Sequence, residues 1–177
     1  RDAVMGATMP EAMLVEAGLL IRPDDGSAYD RFRGRVMFPI TDRRGRVIAF
    51  GGRILGEGKP KYLNSPDTPL FNKGRVLYGM ATARRPAHEA GRVLVAEGYT
   101  DVIALSRAGI AEAVAPLGTA LSESHLHELW RMADEPILCF DGDAAGKRAA
   151  YRAAERALPL LQPGKSLQFV SLPAGED

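Results

Sequence analysis

The chain has 177 residues, 46% of them hydrophobic and 25% charged, with a formal net charge of +1. That length supports one large domain or two small ones with real cores, and the lack of any apolar run near the ~20 residues of a membrane-spanning helix excludes such a span. A single cysteine, Cys139, excludes an internal disulfide and fits a reducing cytoplasm.

The near-neutral charge conceals a split. Residues 1–90 carry 15 Lys/Arg against 10 Asp/Glu, residues 91–177 carry 8 against 12, and residues 31–85 carry 13 against 3. A basic half beside an acidic half fits a protein that holds a polyanion on one side and cations on the other, although a solvated basic surface would read the same way. No signal peptide is visible, and a chain opening on Arg1 is expected to be an excerpt.

Thr8-Met9-Pro10-Glu11 matches a capping box and predicts a first helix stopped by Gly18. Asp24-Asp25-Gly26-Ser27 reads as a turn. Arg35–Ile40 reads as a strand, Thr41–Arg46 as a hairpin loop and Val47–Phe50 as the returning strand. Arg31, Arg33 and Arg35 alternate, which on a strand would point them one way. Gly51–Gly79, rich in Gly, Pro and Asn, reads as an ordered but irregular segment. Its Tyr62 and Phe71 could stack on bases or anchor a core.

From Gly91 the pattern changes. Arg92–Ala96, Ala111–Pro116, Ile137–Phe140 and Leu167–Leu172 read as strands. Thr100–Ala108, the stretch from Ser122 to Met132 and Ala144–Leu161 read as helices, the last bent or ended near Pro159. This β-α-β-α-β-α-β run predicts a parallel sheet with helices on its faces, and a domain boundary at Arg84–Gly91. The fold class is therefore α/β: a basic, mixed α+β subdomain over residues 1–90, followed by a Rossmann-like parallel sheet over residues 91–177.

The carboxylates follow from that topology. Glu97, Asp101, Asp141, Asp143 and Asp177 each follow a strand-like run, and parallel strands bring their carboxyl ends to one edge. Acids gathered there repel unless a hard cation such as Mg²⁺ sits between them, which points to phosphoryl or nucleotidyl transfer. Asp141-Gly142-Asp143 is the sharpest local signal, although Asp-x-Asp also occurs in turns and Ca²⁺ loops. The i, i+4 spacing of Glu97 and Asp101 would put both on one helix face. Gly142–Lys147 does not match the P-loop spacing, and no Gly-x-Gly-x-x-Gly opens the parallel sheet. His125 and His127, two apart on a helix, are poor metal ligands and suit surface or packing roles. Arg31, Arg53, Lys61, Asn64 and Lys73 suit a nucleic-acid backbone or a triphosphate. Cys139 reads as a small buried strand residue.

At these residues the chain closely resembles the RNA-polymerase core of bacterial replicative DNA primases, the DnaG type. The matching pieces, in collinear order over nearly the whole chain, are Arg31-Phe-Arg-Gly-Arg-Val-Met-Phe-Pro-Ile, Gly45-Arg-Val-Ile-Ala-Phe-Gly-Gly-Arg53 and Lys61-Tyr-Leu-Asn-Ser-Pro-Asp-Thr-Pro-Leu-Phe-Asn-Lys73. Leu77-Tyr-Gly, Glu97-Gly-Tyr-Thr-Asp-Val-Ile-Ala-Leu, Leu117-Gly-Thr-Ala-Leu and Asp141-Gly-Asp-Ala-Ala-Gly follow. The second half resembles the TOPRIM module shared with topoisomerases and some nucleases.

The resemblance implies synthesis of short RNA primers on single-stranded DNA from NTPs, with Mg²⁺ or Mn²⁺ as cofactor. It implies Glu97, Asp141 and Asp143 as catalytic residues, and these three with Asp101 and Asp177 as the metal site. It implies Arg31, Arg53, Lys61, Asn64 and Lys73 as the wall facing template and nucleotides. The family pattern Gly-Glu-Asp-Pro-Asp is expected to be cut at Asp177. The zinc-binding module and the helicase-binding C-terminal domain are expected to lie outside this sequence. A bacterial cytoplasmic protein at the replication fork, monomeric and off the membrane, with the replicative helicase as partner, follows from the same resemblance. The alternatives are a TOPRIM nuclease or topoisomerase, the latter needing a nucleophilic tyrosine that nothing beside Tyr99 or Tyr151 marks, and a non-catalytic DNA-binding repair scaffold.

Overall fold

The computed structural model describes residues 9–173, so the expected Thr8 cap and the terminal Asp177 lie outside the described residues. The chain divides into two compact units: residues up to Ile40 together with Val47–Asn72, and Thr41–Arg46 together with the chain from Lys73 onward.

In the first unit, helix α1 (Glu11–Glu16) ends as its glycine requires. Gly18 has φ 69°, its N–H donates to the Val15 carbonyl, and the Leu19 N–H donates to that of Leu14, each at 2.9 Å. This is the Schellman arrangement, which satisfies carbonyls the helix leaves open. A Cβ at Gly18 would also meet the Pro66 ring at 2.4 Å. Leu14 packs with Leu20 and Ala28 in a small core. Strands β1 (Leu20–Ile21) and β2 (Tyr29–Asp30) pair antiparallel, Leu20 opposite Asp30.

Strands β3 (Arg35–Thr41), β4 (Val47–Ile54) and β5 (Tyr62–Asn64) form a three-stranded sheet in that order. Pro39 sits on the edge strand β3, where its missing N–H is tolerated. β4 pairs antiparallel with β5, Arg53 opposite Tyr62. Two expectations are corrected here, and of the two roles open to Phe71 one holds. Arg31–Gly34 is a turn, so the arginines at 31, 33 and 35 do not alternate along one strand. Gly51–Gly79 is not irregular throughout, because β4 runs on to Ile54 and β5 lies within it. Phe71 is a core anchor, 1% exposed, and not a base-stacking surface. Gly51 and Gly52 read as breakers, yet Gly52 is needed inside the strand. A Cβ there would meet Phe32 at 2.9 Å and Arg35 at 3.0 Å. The Arg35 guanidinium instead crosses to the carbonyls of Pro60 (2.9 Å), Lys61 (3.2 Å) and Gly52 (3.3 Å).

The second unit is the parallel sheet. Its strands are β6 (Leu94–Val95), β7 (Ala113–Val114), β8 (Ile137–Phe140) and β9 (Gln168–Ser171), in the order β7-β6-β8-β9 with every pair parallel. The expected strands are all present, with β6 and β7 shorter than the apolar runs that carry them. Helices α3 (Tyr99–Arg107), α4 (Glu123–Met132) and α5 (Ala144–Ala157) lie in the expected places. α5 gives way at Leu158–Leu160 to a 3₁₀ turn containing Pro159. One helix went unread: α2 (Met80–Ala90), with Pro86 in its interior. Met80, Ala83 and Ala87 join Val93, Val95, Val114, Leu129, Leu138 and Phe140 in the main core. Among the described residues no helix is long and apolar enough to cross a membrane.

Candidate metal-binding edge of the parallel sheet

Glu97 follows β6 by two residues and Asp141 follows β8 directly, and β6 and β8 are neighbours. Parallel pairing therefore delivers both to the same edge. They are joined there: Glu97 Oε1 accepts a hydrogen bond from the Asp141 backbone N–H at 3.0 Å. Asp101 enters from the first turn of α3, where its Oδ2 accepts the Gly98 N–H at 2.8 Å. The helical i, i+4 relation between Glu97 and Asp101 does not hold, because Glu97 precedes the helix N-cap at Gly98. The two nevertheless line one cleft of about 370 Å³ with Asp141, Cys139 and Leu172. Cys139 is only partly buried. Burial, and then the charges of Asp141 and Asp101, push its thiol pKa up, so the carboxylates are felt at the cleft wall.

Asp143 is placed differently. It is the N-cap of α5, and its Oδ1 accepts the N–H groups of Ala145 and Gly146, both at 2.7 Å. The two glycines of the motif are steric requirements. A Cβ at Gly142 would fall 2.0 Å from the Pro173 carbonyl oxygen, and one at Gly146 would fall 2.1 Å from that of Asp141. Glycine thus lets the chain beyond β9 and the start of α5 close on the strand end.

A second cleft of about 250 Å³ opens on the other side of Glu97, between residues of the Gly118–Leu121 loop and α5. Ala145, Ala149 and Arg152 line it from α5. Arg152 was missed in the sequence, though the 145, 149, 152 spacing marks a single helix face running back to the Asp-Gly-Asp turn.

The basic residues distribute as follows. Arg53 on β4 lies over the Tyr62 ring of β5, 5.8 Å from its centroid. Asn64 ends β5 opposite Gly51. Lys61 is exposed just before β5. Arg31 lies in the turn after β2, and Lys73 in the turn that follows Phe71. His125 is fully buried and His127 stacks edge-on against Trp130, which matches packing roles. Of the candidate nucleophiles, Tyr99 is 5% exposed with its ring against Tyr78, and Tyr151 is 75% exposed.

Carboxylate oxygens are the donor type that hard divalent cations take. Among the described residues, no three His, Cys, Asp or Glu side chains converge closely enough to enclose an ion.

Comparison with known proteins gives a consistent picture. Residues 1–84 match the family described as the DNA primase catalytic core, N-terminal domain, and residues 91–171 match the Toprim domain. A DNA primase of Pseudomonas aeruginosa is 57% identical over 165 residues, covering 93% of this chain and 25% of that protein. The Escherichia coli primase catalytic core superposes with a TM-score of 0.91 at 52% identity, covering 99% of this chain and 57% of that one. A DnaG primase catalytic domain bound to single-stranded DNA gives 0.90 at 51%, covering 99% and 56%. The chain thus spans about a quarter of the length of that curated relative.

Proposed function

This chain belongs to the DNA primase family, joining the N-terminal domain of the catalytic core to a Toprim domain, and from that premise we propose that it serves template-directed synthesis of short RNA primers on single-stranded DNA. In that reaction the 3′-hydroxyl of one ribonucleotide attacks the α-phosphate of the next. A phosphodiester forms, pyrophosphate leaves and the hydroxyl proton passes to solvent or a base. A divalent ion, Mg²⁺ or Mn²⁺, when bound, stabilises the charge on the attacking and leaving oxygens.

Glu97 and Asp141 would hold that ion, supported by the hydrogen bond that joins their strand ends. Asp101 completes the acidic wall of the cleft. Asp143 keeps one carboxylate oxygen, Oδ2, beyond its capping bonds, and Asp177 is assigned to the same set from its motif. Arg31, Arg53, Lys61, Asn64 and Lys73 would face template and nucleotides, their cations offsetting phosphate charge. The two family matches meet between residues 84 and 91, which supports a boundary near residue 90, whereas the compact units divide at Lys73 and α2 packs into the core of the parallel sheet. The same reading carries NTPs, a growing RNA primer and the replicative helicase as partners of a monomer in the bacterial cytoplasm.

A nuclease, topoisomerase or scaffold built on a Toprim domain is disfavoured, because the first 84 residues match the primase core itself. The observation that carries the proposal is the Glu97–Asp141 link at the sheet edge. Its test is primer synthesis from labelled NTPs on single-stranded template, with and without Mg²⁺. Glu97→Gln and Asp141→Asn should each lower synthesis by about a hundredfold or more, since even outer-shell losses at metal sites cost up to that much. Near-normal synthesis by either folded variant would overturn the site.

A further inference from the structure

Of the eight Lys/Arg residues in 91–177, four are held within the fold. Arg92 pairs with Glu112, Arg131 with Glu128 and Lys165 with Asp134. The Arg156 guanidinium donates to the Leu121 carbonyl and so ties α5 to the Gly118–Leu121 loop. The other four, Arg107, Lys147, Arg148 and Arg152, make no hydrogen bond or ion pair among the described residues. Three of these four lie on α5, within six residues of one another. In the acidic half of the chain, the unpaired cations are thus gathered on one helix.

They also share a face. At 3.6 residues per turn, Lys147, Tyr151, Arg148 and Arg152 span about 140° of the helix surface. The buried residues Gly146, Ala153 and Ala157 lie on the opposite side. All four are exposed, Tyr151 at 75%. Arg148 and Arg152 are like charges at i, i+4, which costs helix stability. Glu155 is the one acid in the helix, and it pairs with none of them among the described residues. An open tyrosine among unpaired cations has the chemistry of a single-strand platform. The cations take phosphates, and an unpaired base stacks on the ring. A duplex keeps its bases stacked within itself, and an acidic peptide would leave the ring without a role. The location fits as well. Lys147 lies one helical turn beyond Asp143, the N-cap of α5, and Arg152 lines the cleft that Glu97 also lines.

We propose that the exposed face of α5, through Lys147, Arg148, Tyr151 and Arg152, holds a stretch of the single-stranded DNA template beside the metal edge. This rests on the primer-synthesis reading and adds a nucleic-acid surface to the acidic half of the chain. None of the four residues touches the reacting atoms; they fix the path of the strand.

The test is binding of a labelled oligothymidylate to the full chain, by fluorescence anisotropy across a salt series at fixed Mg²⁺. Gln replaces each cation, singly and together, because it keeps the helix propensity, and Tm should hold throughout. Each single variant should flatten the dependence of log affinity on log salt by about 0.7, and the triple variant by about 2. Arg107→Gln, which removes the unpaired cation that ends α3, should leave the slope unchanged. Tyr151→Ala should weaken binding about fivefold or more, and Tyr151→Phe should match the unaltered chain. In primer synthesis the triple variant should raise KM for template about tenfold or more, with kcat at saturating template within about twofold. An unchanged slope in the triple variant would overturn the proposal and leave the face solvated or open to an acidic protein. An equal effect from Arg107→Gln would reduce it to net charge and overturn it too. Equal losses on the same strand annealed to its complement, with none from Tyr151→Ala, would overturn the single-strand assignment. Flat slopes beside lost synthesis in Glu97→Gln would overturn the α5 face alone. Normal synthesis by Glu97→Gln, with the α5 slopes as expected, would overturn the primer-synthesis site and leave the face standing.

Discussion

Asp143 carries two duties on one carboxylate. Oδ1 holds the first turn of α5 through the Ala145 and Gly146 N–H groups, while the negative charge belongs to the proposed metal edge. The duties separate by mutation. Asp143→Asn keeps a capping oxygen and should leave stability within a few tenths of a kcal/mol, whereas Asp143→Ala should cost about 1 kcal/mol. Both should lose primer synthesis, because both remove the charge. Urea unfolding beside the primer assay checks this, and an Asn variant with full synthesis would leave Asp143 a cap and nothing more. The Asp-Gly-Asp turn was legible in sequence as a strand end, since an apolar run precedes it and a helix follows. Its division of labour was not, because capping and metal binding draw on the same short acids at the same position.

At the scale of the element, the sequence was most readable where periodicity and caps agree. α4, with Ser122 before its apolar stripe, and the four parallel strands were placed from these signals. Helix α2 was not, for physical reasons that can be named. Its N-cap is Gly79 in the left-handed region, which offers no capping oxygen, and Pro86 interrupts its interior. β5 was hidden because its three residues follow Lys59-Pro60 and gain their identity from pairing with β4. Pro86 leaves the Thr82 carbonyl without its helical donor. Pro86→Ala should therefore stabilise the protein by about 2 kcal/mol and raise Tm. A fall in Tm would show that the ring's packing in α2 outweighs the missing bond.

At the scale of the molecule, the opposed charges of the two halves bear on binding. An acidic edge repels a polyanion until a cation neutralises it. Affinity for single-stranded oligonucleotides should therefore rise when Mg²⁺ or Mn²⁺ is added at fixed ionic strength. Without such a rise, the acidic edge does not meet DNA. Lys61→Ala and Arg53→Ala should each flatten the dependence of log affinity on log salt by about 0.7, the value for one phosphate contact on a single strand. Fluorescence anisotropy across a salt series reads both effects, and unchanged slopes would remove these residues from the wall.

The strand order β7-β6-β8-β9 also has a consequence in time. β6 is the first of these strands to leave the ribosome and lies inside the sheet, so it must wait for both neighbours. Leu94 meets Ala113 across less than half the chain length that separates it from Ile137. The shorter closure costs less entropy, so β6-α3-β7 is the expected nucleus, with β8 and then β9 docking afterwards. Val114→Ala should then slow refolding, whereas Leu167→Ala, beside the last strand, should mainly hasten unfolding. A stopped-flow chevron series distinguishes the two, and the reverse pattern would place the nucleus at β8-β9, where the acids of the Asp-Gly-Asp turn would be in place before Glu97 had a sheet edge to stand on.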